Sequence, residues 1–238
     1  MTDTSAAGTG AEPLRVARLR PGALVAGLVA VLGAMVIGMA LGPVDISPKL
    51  IVYELLDDLP LINLDSGLSA QRVAIIEQIR LPRVVLGFLV GATLSVSGAA
   101  YQGAFRNPLA DPYLLGIAAG AGLGATVAIT QDWGDGGGFT DPVPLAAFGG
   151  ALLAVVLSYT AGHVGGRSTA SLILAGVAVA SFLTAAQTYV LQANSDAFRE
   201  VYAWILGRIA TSGWSEVVLM VPYFLLAAGI VFRYRRAL

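Results

Sequence analysis

The stretch Ile79–Gly124, IRLPRVVLGFLVGATLSVSGAAYQGAFRNPLADPYLLGIAAGAGLG, decides the fold of this 238-residue chain. It begins with two arginines three residues apart and continues through an apolar segment that carries a small residue at every fourth position. A polar turn bracketed by prolines follows, and then a second, glycine-rich apolar segment. Crossing a bilayer takes ~20 apolar residues. This order therefore places charged groups at one face of a membrane and a constrained polar turn at the other.

The composition is that of a polytopic helical membrane protein. The chain is 56% hydrophobic, only 12% charged and contains 29 glycines, whereas soluble domains are about one quarter charged. It has no cysteine and a single histidine, which excludes disulfides, cysteine metal sites and poly-histidine metal sites. We predict an all-α transmembrane bundle over residues 21–238, preceded by a mostly disordered cytoplasmic tail at residues 1–20.

Apolar segments and their flanking charges predict both the number of spans and their orientation. If the N-terminus is cytoplasmic, the inside segments hold eight basic and three acidic residues, and the outside segments hold six basic and twelve acidic residues. The positive-inside rule then predicts that both termini are cytoplasmic. Ser47 followed by Pro48 predicts a short helix over 48–57 at the outer surface. The six predicted spans are 22–42, 84–104, 113–131, 143–162, 170–192 and 215–232.

Small residues recur every four positions in several of these spans. At that spacing they allow helix backbones to approach closely in lipid, where apolar side chains alone give little driving force for association. The repeats predict a compact, tightly packed bundle. They comprise Ala26, Ala30, Ala34, Gly38 and Gly42; Gly87, Gly91, Ser95, Ala99 and Gly103; Gly116, Gly120 and Gly124; and Ala146, Gly150, Ala154, Ser158 and Gly162.

Several functional classes are disfavoured by what the sequence lacks. No predicted span has a charged residue in its interior, whereas proton- and ion-coupled transporters usually bury ionisable groups near the bilayer midplane. No GxxxxGK[ST] phosphate-binding loop occurs, so another chain would have to bind any ATP that drives this protein. No catalytic set of residues is placed at membrane depth, and an enzyme is therefore not expected.

Arg80 and Arg83 lie at the predicted outer entrance of the second span. Because proline favours the first turn of a helix, Pro82 predicts that the span begins near this point. Cations beside a helix N-terminus are unfavourable, which suggests an external acidic partner held by bidentate arginine–carboxylate pairs. Simple anchoring of the two side chains among lipid headgroups is the alternative.

The sequence Arg106–Pro112, RNPLADP, predicts a tight cytoplasmic turn between the second and third spans. Pro108 disfavours helix at Asn107, so the second span should end there. Asp111 followed by Pro112 predicts an N-cap and the first turn of the next helix. Asn107 either lines a pore mouth or closes the turn by a local side-chain hydrogen bond.

Polar residues flank the fifth predicted span at both ends. Ser168 and Thr169 precede it and are expected to cap it. Its outer end has a polar character, given by Gln187, Thr188, Tyr189 and Gln192. These side chains either face a water-filled pathway or lie in the membrane interface.

The pieces IRLPR, VGATLSVSGAAYQ, NPLADP and LLGIAAGAGLGA, with STASLILAGVAVA at 168–180, resemble the FecCD-type permeases. These are membrane subunits of binding-protein-dependent ABC importers for iron–siderophores, haem and vitamin B12. The resemblance covers most of residues 22–238. It implies that Arg80 and Arg83 pair with glutamates on a periplasmic or lipid-anchored substrate-binding protein. It also implies a cytoplasmic gate and pathway formed by Asn107, Leu109, Ser168, Thr169 and Ala170, with Pro108, Asp111 and Pro112 shaping the turn.

The resemblance further implies a location in the bacterial inner (plasma) membrane and a particular assembly. We expect a second permease subunit, two cytoplasmic ATPase subunits that bind the ATP, and surrounding lipid, with no nucleic acid and no metal or cofactor on this chain. The expected function is ATP-driven import, with an iron–siderophore complex as the substrate.

The family has ten spans, and this sequence ends after the sixth. The resemblance therefore implies an N-terminal part without the coupling helix and the last four spans. The alternatives are a truncated, non-transporting remnant, one half of a split permease, and a facilitative or secondary transporter.

Overall fold

A computed structural model describes residues 20–57, 66–133, 141–166, 168–207 and 209–235. Throughout these ranges the regular structure is helical, without a β-strand, which confirms the all-α class. The predicted tail lies outside the described residues except for Arg20. The helices are α1 Pro21–Ala40, α2 Pro48–Asp57, α3 Ala70–Ala74, α4 Leu81–Phe105, α5 Ile117–Thr130, α6 Pro142–Val164, α7 Thr169–Ala193, α8 Phe198–Ile205 and α9 Trp214–Tyr234.

Within the described ranges, five helical segments are long and apolar enough to cross a membrane, and they match five of the six predicted spans. The predicted span 113–131 is different, because it consists of a 3₁₀ turn at Pro112–Leu115 followed by the 14-residue α5. Gly116 separates the two with a left-handed backbone, at φ 71°. Fourteen helical residues rise about 21 Å, less than the ~30 Å hydrocarbon core.

The second span begins earlier than the sequence predicts. Helix runs continuously over Ala70–Phe105, and a six-residue π segment, Ile75–Arg80, joins α3 to α4. In this segment the N–H of Leu81 bonds to the carbonyl of Ile76, five residues back. The wider turn changes the backbone register just before Pro82, and so accommodates a proline inside the helix. The α-helix α4 does begin at Leu81, near the predicted start, but helical residues precede it, so Pro82 does not mark the start of the whole helical segment.

This correction removes one argument for an acidic partner. Arg80 and Arg83 lie more than two turns inside a continuous helix, so neither side chain is next to a helix N-terminus. The unfavourable interaction with the helix dipole is confined to the first turn and does not apply to them. Any docking role for the two arginines therefore depends on the groups that surround each side chain.

Helices α5 and α6 cross at very short range because both carry glycine at the crossing. A Cβ added at Gly120 would lie 2.2 Å from the carbonyl oxygen of Gly150, and one added at Gly124 would lie 2.1 Å from that of Ala146. Side chains at these positions would force the helices apart. The small-residue repeats therefore do bring α5 and α6 together as predicted.

The repeat on α4 behaves differently. Added Cβ atoms at Gly87 and Gly91 would meet no described atom within 4 Å. On α1 the repeat ends in two contacts, an ordinary one between Gly38 and Val84 and a close one between Gly42 and the side chain of Arg80. The prediction of close packing through small residues therefore applies to α5, α6 and α7, and not to the glycines Gly87 and Gly91 of α4.

A small hydrophobic cluster holds the outer segment after α1, including α2, in place. The predicted surface helix is present as α2, and the carbonyl of Ser47 accepts its first backbone bonds. Ile51 from α2 is fully buried against Met39 of α1, Ile46 of the connecting loop and Ile76 of the π segment. This cluster holds the end of α1 against the start of the second span.

The α5–α6 crossing gives a test with a neighbouring control. Replacing Gly150 with Ala should destabilise the chain by about 1–3 kcal/mol, because the new methyl group would lie 2.1 Å from the carbonyl oxygen of Gly120. Gly149→Ala, in the same helix and with open space around it, should be neutral or slightly stabilising. Thermal unfolding of the full chain in detergent measures both effects, and equal shifts would contradict the crossing.

Candidate functional site

The two predicted inner loops lie beside each other. Asn107, from the turn after α4, and Thr169, at the start of α7, line the same narrow crevice. The 3₁₀ turn that follows packs on α7 so closely that a Cβ added at Gly176 would lie 1.8 Å from the carbonyl oxygen of Leu114. The turn and the first half of α7 therefore form one surface.

The end of α4 fixes the shape of the turn. α4 stops at Phe105, and Arg106 adopts a left-handed backbone with φ 49°. The side-chain oxygen of Asn107 accepts the N–H of Leu109 at 2.9 Å, which closes the turn across Pro108. Asn107 thus makes the local bond that was one of its two predicted roles, while Leu109 projects outward and is 83% exposed.

The second half of the turn is held by a cap and by a hydroxyl from another helix. Asp111 accepts the N–H of Tyr113 at 2.7 Å, so it is the N-cap of the 3₁₀ turn that begins with Pro112. At the other end of that turn, the buried Ser158 of α6 donates to the carbonyl of Leu115 at 3.0 Å. The turn is therefore anchored to α6 as well as to α7.

The start of α7 lies next to an open pocket. Ser168 accepts the N–H of Ser171 at 3.0 Å, as an N-cap should, and Ser171 donates to the carbonyl of Gly165. Ser168, Thr169 and Ala170 are all exposed. The pocket measures about 330 Å³ and is lined by Ala104, Phe105, Tyr159, Gly162, His163, Ser168, Thr169 and Leu172.

The polar outer end of α7 packs partly inside the protein. Gln187 donates to the hydroxyl of Thr126 on α5 at 3.1 Å, and Thr126 donates to the carbonyl of Gly122 at 2.7 Å. Gly122 leaves the room for this amide, since a Cβ there would lie 3.0 Å from it. Thr188 instead bonds to a carbonyl of its own helix, and Tyr189 is exposed.

The two outer arginines have different surroundings. Arg80 is only 7% exposed; its Nη1 donates to the carbonyls of Met39 at 2.7 Å and Ala40 at 3.3 Å, and its Nη2 donates to that of Val44. Arg83 is partly exposed, and within the described part of the chain its buried Nε has no hydrogen-bond partner. The docking role expected for this pair stays a prediction.

Sequence reasoning missed a bond between the last span and the π segment. The indole N–H of Trp214, the first residue of α9, donates to the carbonyl of Glu77 at 2.9 Å. The N–H of Leu81 bonds to the carbonyl of Ile76, five residues back. By the same pattern the carbonyl of Glu77 would accept from the N–H of residue 82, but that residue is a proline and has no N–H. A proline inside an apolar span, combined with an interfacial tryptophan elsewhere, was the available signal.

These helices, with their polar inner turn and apolar exteriors, define a multi-pass inner-membrane protein with a permease-type fold. The sequence model of the FecCD transport family matches residues 28–238, and the chain belongs to that family.

Curated relatives extend the comparison. The chain is 44% identical over 154 residues to the uncharacterized ABC transporter permease protein YvrB of Bacillus subtilis, covering 64% of this chain and 44% of the relative. It is 37% identical over 174 residues to the cobalamin import system permease protein BtuC of Halobacterium salinarum, covering 73% and 46%. It is 33% identical over 196 residues to the Fe(3+)-citrate import system permease protein YfmE of Bacillus subtilis, covering 82% and 55%.

The chain thus spans about half the length of the curated relatives that it matches. Among solved structures, a metal-chelate type ABC transporter in an inward-facing conformation superposes with a TM-score of 0.68, covering 90% of this chain and 62% of the other. At 24% sequence identity this likeness shows the fold alone.

The indole bond to Glu77 gives a test by double substitution. Trp214→Phe should cost about 1 kcal/mol of stability, because the carbonyl of Glu77 loses its donor. In a Pro82→Ala background the cost should shrink, since a backbone N–H becomes available to that carbonyl. Thermal unfolding followed by circular dichroism measures this, with Trp204→Phe as the control that should cost the same in both backgrounds. An undiminished cost of Trp214→Phe in the alanine background would contradict the proposed pairing.

Proposed function

We propose that this chain is the membrane permease part of an ATP-driven importer that receives its substrate from a binding protein and releases it to the cytoplasm. The observation that carries the proposal is the meeting of Asn107 and Thr169 in one crevice, at the end of the helix whose other end carries Arg83. One helix, α4, thus links the proposed outer docking point to the proposed inner gate. Two relatives are named as import system permease proteins, which supports the same direction of transport.

The proposed substrate is a ferric chelate such as an iron–siderophore complex. Relatives are named for Fe(3+)-citrate, iron chelatin and cobalamin, all of which carry their metal inside an organic ligand. The side chains at the proposed gate are the amide of Asn107 and the hydroxyls of Ser168 and Thr169. Such neutral groups can hydrogen-bond to the oxygen-rich surface of a chelate, while they compete weakly with it for iron.

The proposed assembly includes a binding protein outside, a second permease subunit in the membrane and ATPase subunits inside. Arg83 is a proposed outer contact because its buried Nε has no hydrogen-bond partner among the described residues, and a carboxylate would supply one. Leu109 and Ala170 are exposed apolar residues on the proposed gate surface. ATP hydrolysis is assigned to the separate subunits, so this chain itself is not an enzyme.

The proposal is tested by uptake in cells of the source organism that lack this chain. Uptake of ⁵⁵Fe-labelled ferric citrate and ferric hydroxamates, and of ⁵⁷Co-labelled cobalamin, is compared before and after the gene is restored. We expect restored uptake of one ferric chelate, abolished when arsenate depletes ATP. Uptake that survives ATP depletion but collapses with a protonophore would identify a secondary transporter instead, and unchanged uptake of every probe would contradict the proposal.

Charge reversal at the outer face tests the docking step. Arg83→Glu should lower uptake at least tenfold, because it replaces an attraction for a carboxylate with a repulsion in a partly buried site. Arg20→Glu is the matched control, since Arg20 is exposed at the opposite end of the chain's first span and should leave uptake within twofold. Normal uptake by Arg83→Glu at wild-type expression would exclude Arg83 from docking.

A further inference from the structure

Helix α1 ends where its last carbonyls need donors from elsewhere. The helix stops at Ala40, and the N–H of Leu41 bonds back to Ile37. The last four carbonyls of any helix lack the N–H groups of a following turn, and near lipid an unpaired carbonyl is costly. Met39 is only 2% exposed, so water cannot easily serve its carbonyl.

Arg80 supplies those donors from the second span. Its Nη1 serves both Met39 and Ala40, and its Nη2 reaches Val44 in the following loop. A cation also interacts favourably with the negative end of the α1 dipole. Arg80 is the last residue of the π segment. The side chain of Arg80 therefore reaches the end of α1 from the point where the wider π turns give way to the regular α-helix.

The loop after α1 is shaped to hold a guanidinium group. A Cβ added at Gly42 would lie 2.7 Å from Nη2 and 3.0 Å from Cζ of Arg80. Any larger residue at position 42 would therefore push the guanidinium away from its three acceptors. The guanidinium of Arg80 thus lies in a backbone socket, in which three carbonyls accept its hydrogen bonds and a glycine leaves room for it. The socket is formed by Met39, Ala40, Gly42 and Val44.

We propose that Arg80 caps the outer end of α1 and thereby positions the outer face of the second span. This proposal does not rest on the proposed function. Three backbone acceptors hold the guanidinium of Arg80 in a buried site, and a partner's carboxylate would have to displace them. The buried Nε of Arg83, by contrast, has no hydrogen-bond partner among the described residues.

A double-substitution cycle on the full chain in detergent tests the cap without any partner. Arg80→Lys keeps the charge but loses the fork that spans three acceptors, and Gly42→Ala fills the socket. Each should lower the melting temperature by roughly 3–8 °C. Because both act on one contact, the double variant should melt only slightly below the worse single variant.

The matched control is Gly33→Ala, which lies in α1 with open space around it. Its effect should add to that of Arg80→Lys. Additive losses for Gly42→Ala and Arg80→Lys, or an unchanged melting temperature in both single variants, would overturn the cap. Both single variants are conservative, so the folded chain is expected to be recovered for measurement.

Uptake measurements separate the cap from the docking proposal. We expect Arg80→Lys to lower the melting temperature of the purified chain, whatever the effect of Arg83→Glu on uptake. If Arg83→Glu transports normally, the docking part of the proposed function fails while the cap stands. If Arg80→Lys melts like the wild type, the cap is wrong, whatever its uptake.

Discussion

The structure depends on one constraint, that a backbone carbonyl near the membrane core must find a hydrogen-bond donor. A regular α-helix meets this requirement by itself, but within the described residues the end of α1, the π segment and the 3₁₀ turn before α5 do not. At each interruption a side chain from a different helix supplies the donor: Arg80 at the end of α1, Trp214 at the π segment and Ser158 at the 3₁₀ turn. These bonds connect helices that are distant in sequence.

The same interruptions position the groups with proposed functions. The π segment ends at Arg80, the buried cap, and the partly exposed Arg83 follows three residues later in α4. The 3₁₀ turn, held by Ser158 and pressed onto α7, brings Asn107 close to Thr169. Close glycine contacts between α5 and α6 provide the rigid support behind that turn.

The sequence predicted what local chemistry determines. Hydropathy located five spans, the proline after Ser47 located α2, and Asp111 and Ser168 are N-caps because their side chains act within three residues. It failed where distant contacts decide. A proline at position 82 looks like a helix start unless one knows that a tryptophan 137 residues from Glu77 serves the freed carbonyl.

The roles of the arginines were beyond sequence reasoning for the same reason. Nothing local distinguishes Arg80 from Arg83, because the difference lies in three carbonyls about 40 residues earlier in the chain. Likewise, the glycines of α4 and of α5 follow the same four-residue spacing, yet only those of α5 meet a neighbouring helix in the described structure. Spacing shows that close approach is allowed, and only a complementary partner makes it happen.

Infrared spectroscopy of the Met39 carbonyl tests the central claim most directly. The chain contains four methionines, so labelling with [1-¹³C]methionine and subtracting the spectrum of Met39→Leu isolates the amide I band of Met39. A carbonyl bonded to a guanidinium absorbs at lower frequency than one without a donor. If Arg80 donates to this carbonyl, we expect the band to move to higher frequency in Arg80→Gln and to stay in place in Arg83→Gln. An unchanged Met39 band in Arg80→Gln would contradict the cap.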